Sequence, residues 1–165
     1  AKKAHKVLGV NNSEFIDFPA TFLNEKPTHV INNIILKKIK NFKPEIVFIP
    51  FPDRHIDHKV IFESCMVATR PLGAGKSIEI LAAYETLSET HWNAPYIENN
   101  FVPNWNINIT KEINQKLKAL NCFKSQIPPF PGSRSIEAIK ALSIFRGTQS
   151  GFKFGESFII LRKIS

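Results

Sequence analysis

One stretch restricts the fold more than any other. Ile46-Val47-Phe48-Ile49-Pro50-Phe51 has no polar residue and leads straight into Pro52-Asp53-Arg54-His55-Ile56-Asp57-His58. An unbroken apolar run of this length reads as a strand covered on both faces, the kind found in parallel sheets flanked by helices. Pro50 and Pro52 stop the strand, because proline cannot donate to a ladder. In open α/β sheets, ligands bind beyond the carboxyl ends of the strands. A knot of ionisable side chains at that point is the first place to look for chemistry.

The flanking segments read as alternating helices and strands. Ala4, Val7 and Leu8 fall at helical spacing, and Gly9 is a good stop. Residues 14–18 are expected as a short strand ended by Pro19. Thr28 is expected to cap a helix whose apolar stripe is Val30, Ile31, Ile34, Ile35 and Ile39. After the motif, Val60, Ile61, Ser64, Cys65 and Ala68 repeat at helical spacing, so His55 to His58 lies at or just before a first helical turn, where backbone N–H groups favour anions. Residues 78–87 and 104–109 read as strands, Thr110 as the cap of a helix reaching Phe123, and Ser135 as the cap of a helix closed by Gly147. The apolar run from Ser157 to Leu161 reads as the last strand. This order implies an α/β fold, a Rossmann-like three-layer sandwich with a mostly parallel sheet. With no repeat, linker or low-complexity tract in the 165 residues, one domain over 1–165 is the simplest organisation.

Composition narrows the function classes. No stretch approaches the roughly 20 apolar residues of a membrane span. The basic start Ala1-Lys2-Lys3 is not followed by a signal-peptide core, so a soluble, cytoplasmic protein is expected. Cys65 and Cys122 lack metal-binding spacing and read as packed free thiols. The net charge of +8 invites an anionic partner, but the lysines are scattered and form no basic helix, so no nucleic-acid partner is expected.

His55, Asp57 and His58 can each bind a metal or move protons. Imidazole is a good zinc ligand, and its second nitrogen needs a partner to fix the tautomer; Asp57 or Asp53 fits that part. A polar loop with two surface histidines stays equally open at this point. A catalytic zinc takes three protein ligands, and His5, His29 and His91 have no carboxylate at a recognisable ligand spacing. Tyr84, Glu85, Trp92, Phe101 and Trp105 form an aromatic group suited to packing or to stacking on a sugar. Arg134 and Arg146, with Glu156 nearby in sequence, suit an ion pair or an anion site.

Taken together, these pieces resemble the PIG-L/LmbE family of zinc-dependent N-acetyl-sugar deacetylases. Pro52 to His58 is similar to the family's second signature, a strand ending in His-x-Asp-His. Ala4 to Val10, Tyr84-Glu85-Thr86 with Trp92, Lys124-Ser125-Gln126, Arg134-Ser135, Arg146-Gly147 and Gly155 to Phe158 resemble further landmarks in the expected order. The resemblance implies a hydrolase that releases acetate from an N-acetylated amino sugar, with zinc (Zn2+) as cofactor. It implies His58 as a zinc ligand. It implies His55 and Asp57 as the pair assisting the tetrahedral intermediate and the leaving amine, the imidazole being held by Asp57. Arg54, Tyr84, Trp92 and Arg134 become substrate-binding candidates. The family's first signature, Ala-His-Pro-Asp-Asp-Glu, which supplies two ligands and the base, is not in the 165 residues. The chain therefore reads as an N-terminally truncated member lacking the first strand, with weak zinc binding and little or no turnover. The alternative is a non-catalytic relative that binds a sugar or phosphosugar.

Overall fold

The computed structural model describes all residues, 1–165. Five α-helices and four strands follow one another along the chain: α1 (Lys2–Leu8), α2 (Thr28–Phe42), β1 (Ile46–Pro50), α3 (Ile56–Ala68), β2 (Ile80–Tyr84), β3 (Trp105–Asn108), α4 (Ile113–Leu120), α5 (Ile136–Thr148) and β4 (Gly155–Lys163). The strands form one sheet in the order β1-β2-β4-β3. The α/β reading holds, but the sheet is mixed rather than mostly parallel. β1 and β2 pair parallel, with Phe48 opposite Ala82. β2 and β4 pair antiparallel, with Tyr84 opposite Phe158. A continuous apolar run reports burial and says nothing about strand direction, so β4 could not be oriented from its sequence.

The chain divides into two compact units. One comprises Phe18–Trp105 with Phe158–Ser165. Its core is Ile39 of α2, Ile49 and Phe51, Cys65 of α3, Ile78, and Leu81 and Ala83 of β2. Leu81 and Ala83 are fully buried; removing an aliphatic chain of leucine size from water contributes about 1.5–3 kcal/mol. Alternation along β1 sends Val47 and Ile49 into this cluster and Ile46 and Phe48 to the other face. The expectation that β1 is covered on both faces fails here. β1 ends the strand order, and Ile46 and Phe48 stay 46% and 44% exposed. Phe48 is covered in part by Phe158 and Trp105, at ring distances of 4.8 and 5.8 Å.

The other unit comprises Ala1–Asp17 with Asn106–Ser157. Ile109, Ile113 and Phe154 form its core, with Ile107 and Leu117 against it. α1 lies along α4, and the Gln115 side chain donates to the Val7 carbonyl at 2.7 Å. α5 meets the start of β4 through two glycines: a Cβ built on Gly155 would stand 2.9 Å from the Gly147 Cα. Ser135 caps α5 as expected, accepting from the Ala138 N–H at 3.1 Å. Thr110 does not cap α4, which starts at Ile113; its hydroxyl accepts from the Phe154 N–H instead. Residues 14–18 form no strand. Phe15 stacks on His5 at 5.7 Å instead of pairing along its backbone. No helix is long and apolar enough to cross a membrane.

Candidate functional site

The ionisable cluster lies where the sequence placed it, past the end of β1 and at the start of α3. The Phe51 N–H bonds the Tyr84 carbonyl at 2.9 Å, which keeps the chain beside β2 for one more residue. Asp53 then turns inward and is completely buried. Its Oδ1 accepts from the His55 N–H at 3.0 Å and faces His58 Nδ1 at 2.8 Å. Its Oδ2 accepts from the Thr90 hydroxyl at 2.8 Å. A buried carboxylate requires such partners, because unpaired it would lose its hydration without compensation.

These bonds fix both rings. Facing a carboxylate, His58 carries its proton on Nδ1 and leaves the Nε2 lone pair bare, the arrangement usual for a metal-binding imidazole. His55 is the N-cap of α3, and its Nδ1 accepts from the Asp57 N–H at 3.2 Å. That leaves the His55 proton on Nε2. The two rings stack at 4.6 Å with 23° between their planes.

The expected pairing of His55 with the Asp57 carboxylate does not form. Asp57 Oδ2 accepts from the Thr21 N–H at 2.7 Å and Oδ1 from the Leu23 N–H at 3.2 Å. At the second helical position the backbone N–H points back to the N-cap while the side chain projects outward, so only the Asp57 main chain reaches His55. Of the two carboxylates considered as orienting groups, Asp53 orients a histidine, and that histidine is His58.

The other candidates separate. Arg54 is exposed, 3.8 Å from Glu89, a spacing and exposure that contribute little to stability. Tyr84 ends β2 near the cluster. Burial, then Cys65, then Asp53, holds its phenol above the usual tyrosine range. Trp92 is 64% exposed on the loop after β2, free to stack on a ring. Arg134 belongs to the other unit, where it reaches Gln126 at 3.4 Å. Glu156, considered as an arginine partner, pairs with Lys116. Two contacts were missed in the sequence. His91 Nε2 lies 2.7 Å from Glu85 Oε2, supplying the carboxylate that seemed absent, and Thr90 reaches Asp53 across 37 residues. The Ser- and Thr-rich run Thr86 to Thr90 signals a turn that would fold such groups back, but not their target.

His58 alone fits a zinc ion as a ligand. Asp53 is engaged on both oxygens, the His55 Nε2 carries a proton, and no group of three or more His, Cys, Asp or Glu side chains able to hold a metal forms. The donor set of a catalytic zinc is therefore not met by this chain's residues.

Beyond the end of a strand in an α/β fold, a fully buried aspartate thus orients a histidine. Residues 1–69 match the PIG-L family model, described as GlcNAc-PI de-N-acetylase, and the motif lies inside the matched span, so this part of the chain is similar to that family. Among solved structures, a conserved protein from Thermus thermophilus is 22% identical with a TM-score of 0.78, over 99% of this chain and 72% of that one. N,N'-diacetylchitobiose deacetylase from Pyrococcus horikoshii is 22% identical with a TM-score of 0.71, over 97% of this chain and 61% of that one. The 4-carboxy-2-hydroxymuconate hydratase GalB from Pseudomonas putida is 16% identical with a TM-score of 0.72, over 99% and 70%. These likenesses concern the fold, which hosts more than one chemistry.

Proposed function

We propose that residues 1–165 form one Rossmann-like domain of an N-deacetylase that hydrolyses the N-acetyl group of an amino sugar or its conjugate, in the cytoplasm. The observation that carries this reading is the Asp53–His58 contact at 2.8 Å, which prepares one imidazole with a bare Nε2 beside a second with a protonated one. In the reaction, water adds to the acetyl carbon, the C–N bond breaks, and acetate and the free amine leave.

His58 is the chain's contribution to binding a metal, zinc in the resembled family. His55 acts through its Nε2–H. Because Nδ1 already accepts from a backbone N–H, the Nε2–H is the group left to donate a hydrogen bond to the oxyanion that forms on the acetyl group. Asp57 serves by fastening the segment at Thr21 and Leu23 to the first turn of α3. Tyr84 and Trp92 offer faces for the sugar, Arg54 sits at the rim, and Arg134 is a further substrate-binding candidate.

The incomplete donor set favours a second reading, a relative that binds the sugar without hydrolysing it. Zinc stoichiometry and acetate release on N-acetylated amino sugars separate the two. The chain by itself is expected to bind zinc weakly, through His58, and to release little acetate. Loss of the residual zinc in His58→Ala supports the assignment. Sugar binding that survives His58→Ala without any acetate release favours the second reading. Tight stoichiometric zinc with turnover overturns the incomplete site.

A further inference from the structure

Thr90 takes no part in the chemistry above, yet it is nearly as buried as Asp53, at 4% exposure. Its hydroxyl is aimed. It accepts from the Thr86 N–H at 2.8 Å, so its own proton is free to go to Asp53 Oδ2, also at 2.8 Å. The Thr90 N–H bonds the Thr86 carbonyl at 2.8 Å, closing a turn that holds the hydroxyl in place.

We infer that Thr90 is a positioning residue for His58, acting through the Asp53 carboxylate. The inference rests on the reading of His58 as a functional imidazole. The terminal torsion of an aspartate is broad and nearly two-fold, so a carboxylate bonded on one side only can turn. Asp53 Oδ1 serves two donors, His55 N–H and His58 Nδ1–H. Thr90 anchors the opposite oxygen, and with both oxygens bonded the plane of the group is set. That plane keeps Oδ1 in line with His58 Nδ1 and the proton on that nitrogen. The same hydroxyl fastens the loop carrying Glu85, His91 and Trp92 to the aspartate behind His58. A group that settles on this loop therefore acts on the ring that the metal or substrate meets.

A purely structural role, capping the 86–90 turn, would cost stability when lost but leave the His58 tautomer alone. The full chain, labelled with ¹⁵N-histidine and free of metal and sugar, is examined by long-range ¹H–¹⁵N NMR at alkaline pH, well above the usual imidazole range. Wild type is expected to show His58 as a single tautomer protonated on Nδ1. Thr90→Val, which keeps the branched shape without the hydroxyl, is expected to bring in the Nε2-protonated form. Thr90→Ser is expected to restore the single form. A folded Thr90→Val chain with the wild-type tautomer overturns the inference. If that variant does not fold, wild type still decides: the Thr90 hydroxyl proton is expected to exchange slowly with water, and fast exchange overturns the inference. Neither measurement involves hydrolysis, so a failed deacetylase assignment and a failed positioning role give different results.

Discussion

Asp53 Oδ1 stands 2.8 Å from His58 Nδ1, and the aspartate that makes this contact is fully buried. The contact spans five residues, across the end of β1 and the first turn of α3. It turns a local motif into an oriented imidazole.

Removing that carboxylate should be among the most costly single changes in the unit. Asp53→Ala takes the acceptor away from the buried Thr90 hydroxyl and from the half-buried His55 N–H and His58 ring. Leaving a buried donor without its acceptor costs about 1–3 kcal/mol, and here three donors lose theirs together. Asp53→Asn keeps the shape and one acceptor and should cost about 1–3 kcal/mol. Urea denaturation of both variants measures the difference, and equal losses would contradict it.

Asp57 should matter for the segment at Thr21 rather than for His55. Asp57→Asn weakens two charge-assisted bonds, so the amides of Thr21 and Leu23 should exchange faster while the His55 ring stays in place. Thr21 itself sits at φ 68°, a conformation a β-branched residue rarely adopts. Thr21→Gly keeps the donor and relieves strain, and it should be neutral or stabilising by up to about 1 kcal/mol. Hydrogen exchange and thermal melting check the two parts.

Cys65 makes stability depend on alkaline pH. Burial pushes its thiol from the ordinary value of 9.0 up to about 11. The folded chain then holds a proton that the unfolded chain releases, so the contribution is complete below pH 9.0 and is lost on the way to about pH 11. Two pH units correspond to about 3 kcal/mol. Tyr84, also raised by burial, adds a loss of the same sign above the usual tyrosine range. Cys65→Ala should flatten the fall between these limits in denaturation curves taken across that window.

Gly155 and Gly147 are in contact because neither has a side chain. A Cβ on Gly155 would meet Gly147 N and Cα at 2.9 Å, and one on Gly147 would meet the Phe152 carbonyl at 2.7 Å. Backbone atoms cannot step aside as a flexible side chain does. Gly155→Ala should cost about 1–3 kcal/mol, visible as a lower midpoint in urea.

Much of the local structure was legible before any fold was known. The apolar stripe of α2, the Ser135 cap of α5, the proline-stopped strand β1 and the helix after His55 all follow from interactions within a few residues. The site was legible as a place and as a set of residue types. His55, Asp57 and His58 stand where the motif put them, and of the two aspartates read as possible orienting groups Asp53 meets a histidine, His58, while the Asp57 carboxylate bonds Thr21 and Leu23. The i,i+2 relation of His55 and Asp57 looks like a pair in sequence. In space it joins a ring to a backbone N–H, because side chains two apart on a helix do not face each other.

The sequence by itself determined the periodicities, the stops and the concentration of ionisable groups past Phe51, because these depend on sterics and hydrophobic pattern along the chain. Only the tertiary structure decided that β4 runs antiparallel to β2, that β1 ends the strand order, and that Thr90 reaches Asp53. Those outcomes depend on which distant surfaces meet and on which buried polar groups must then find partners. A one-dimensional pattern does not encode that choice.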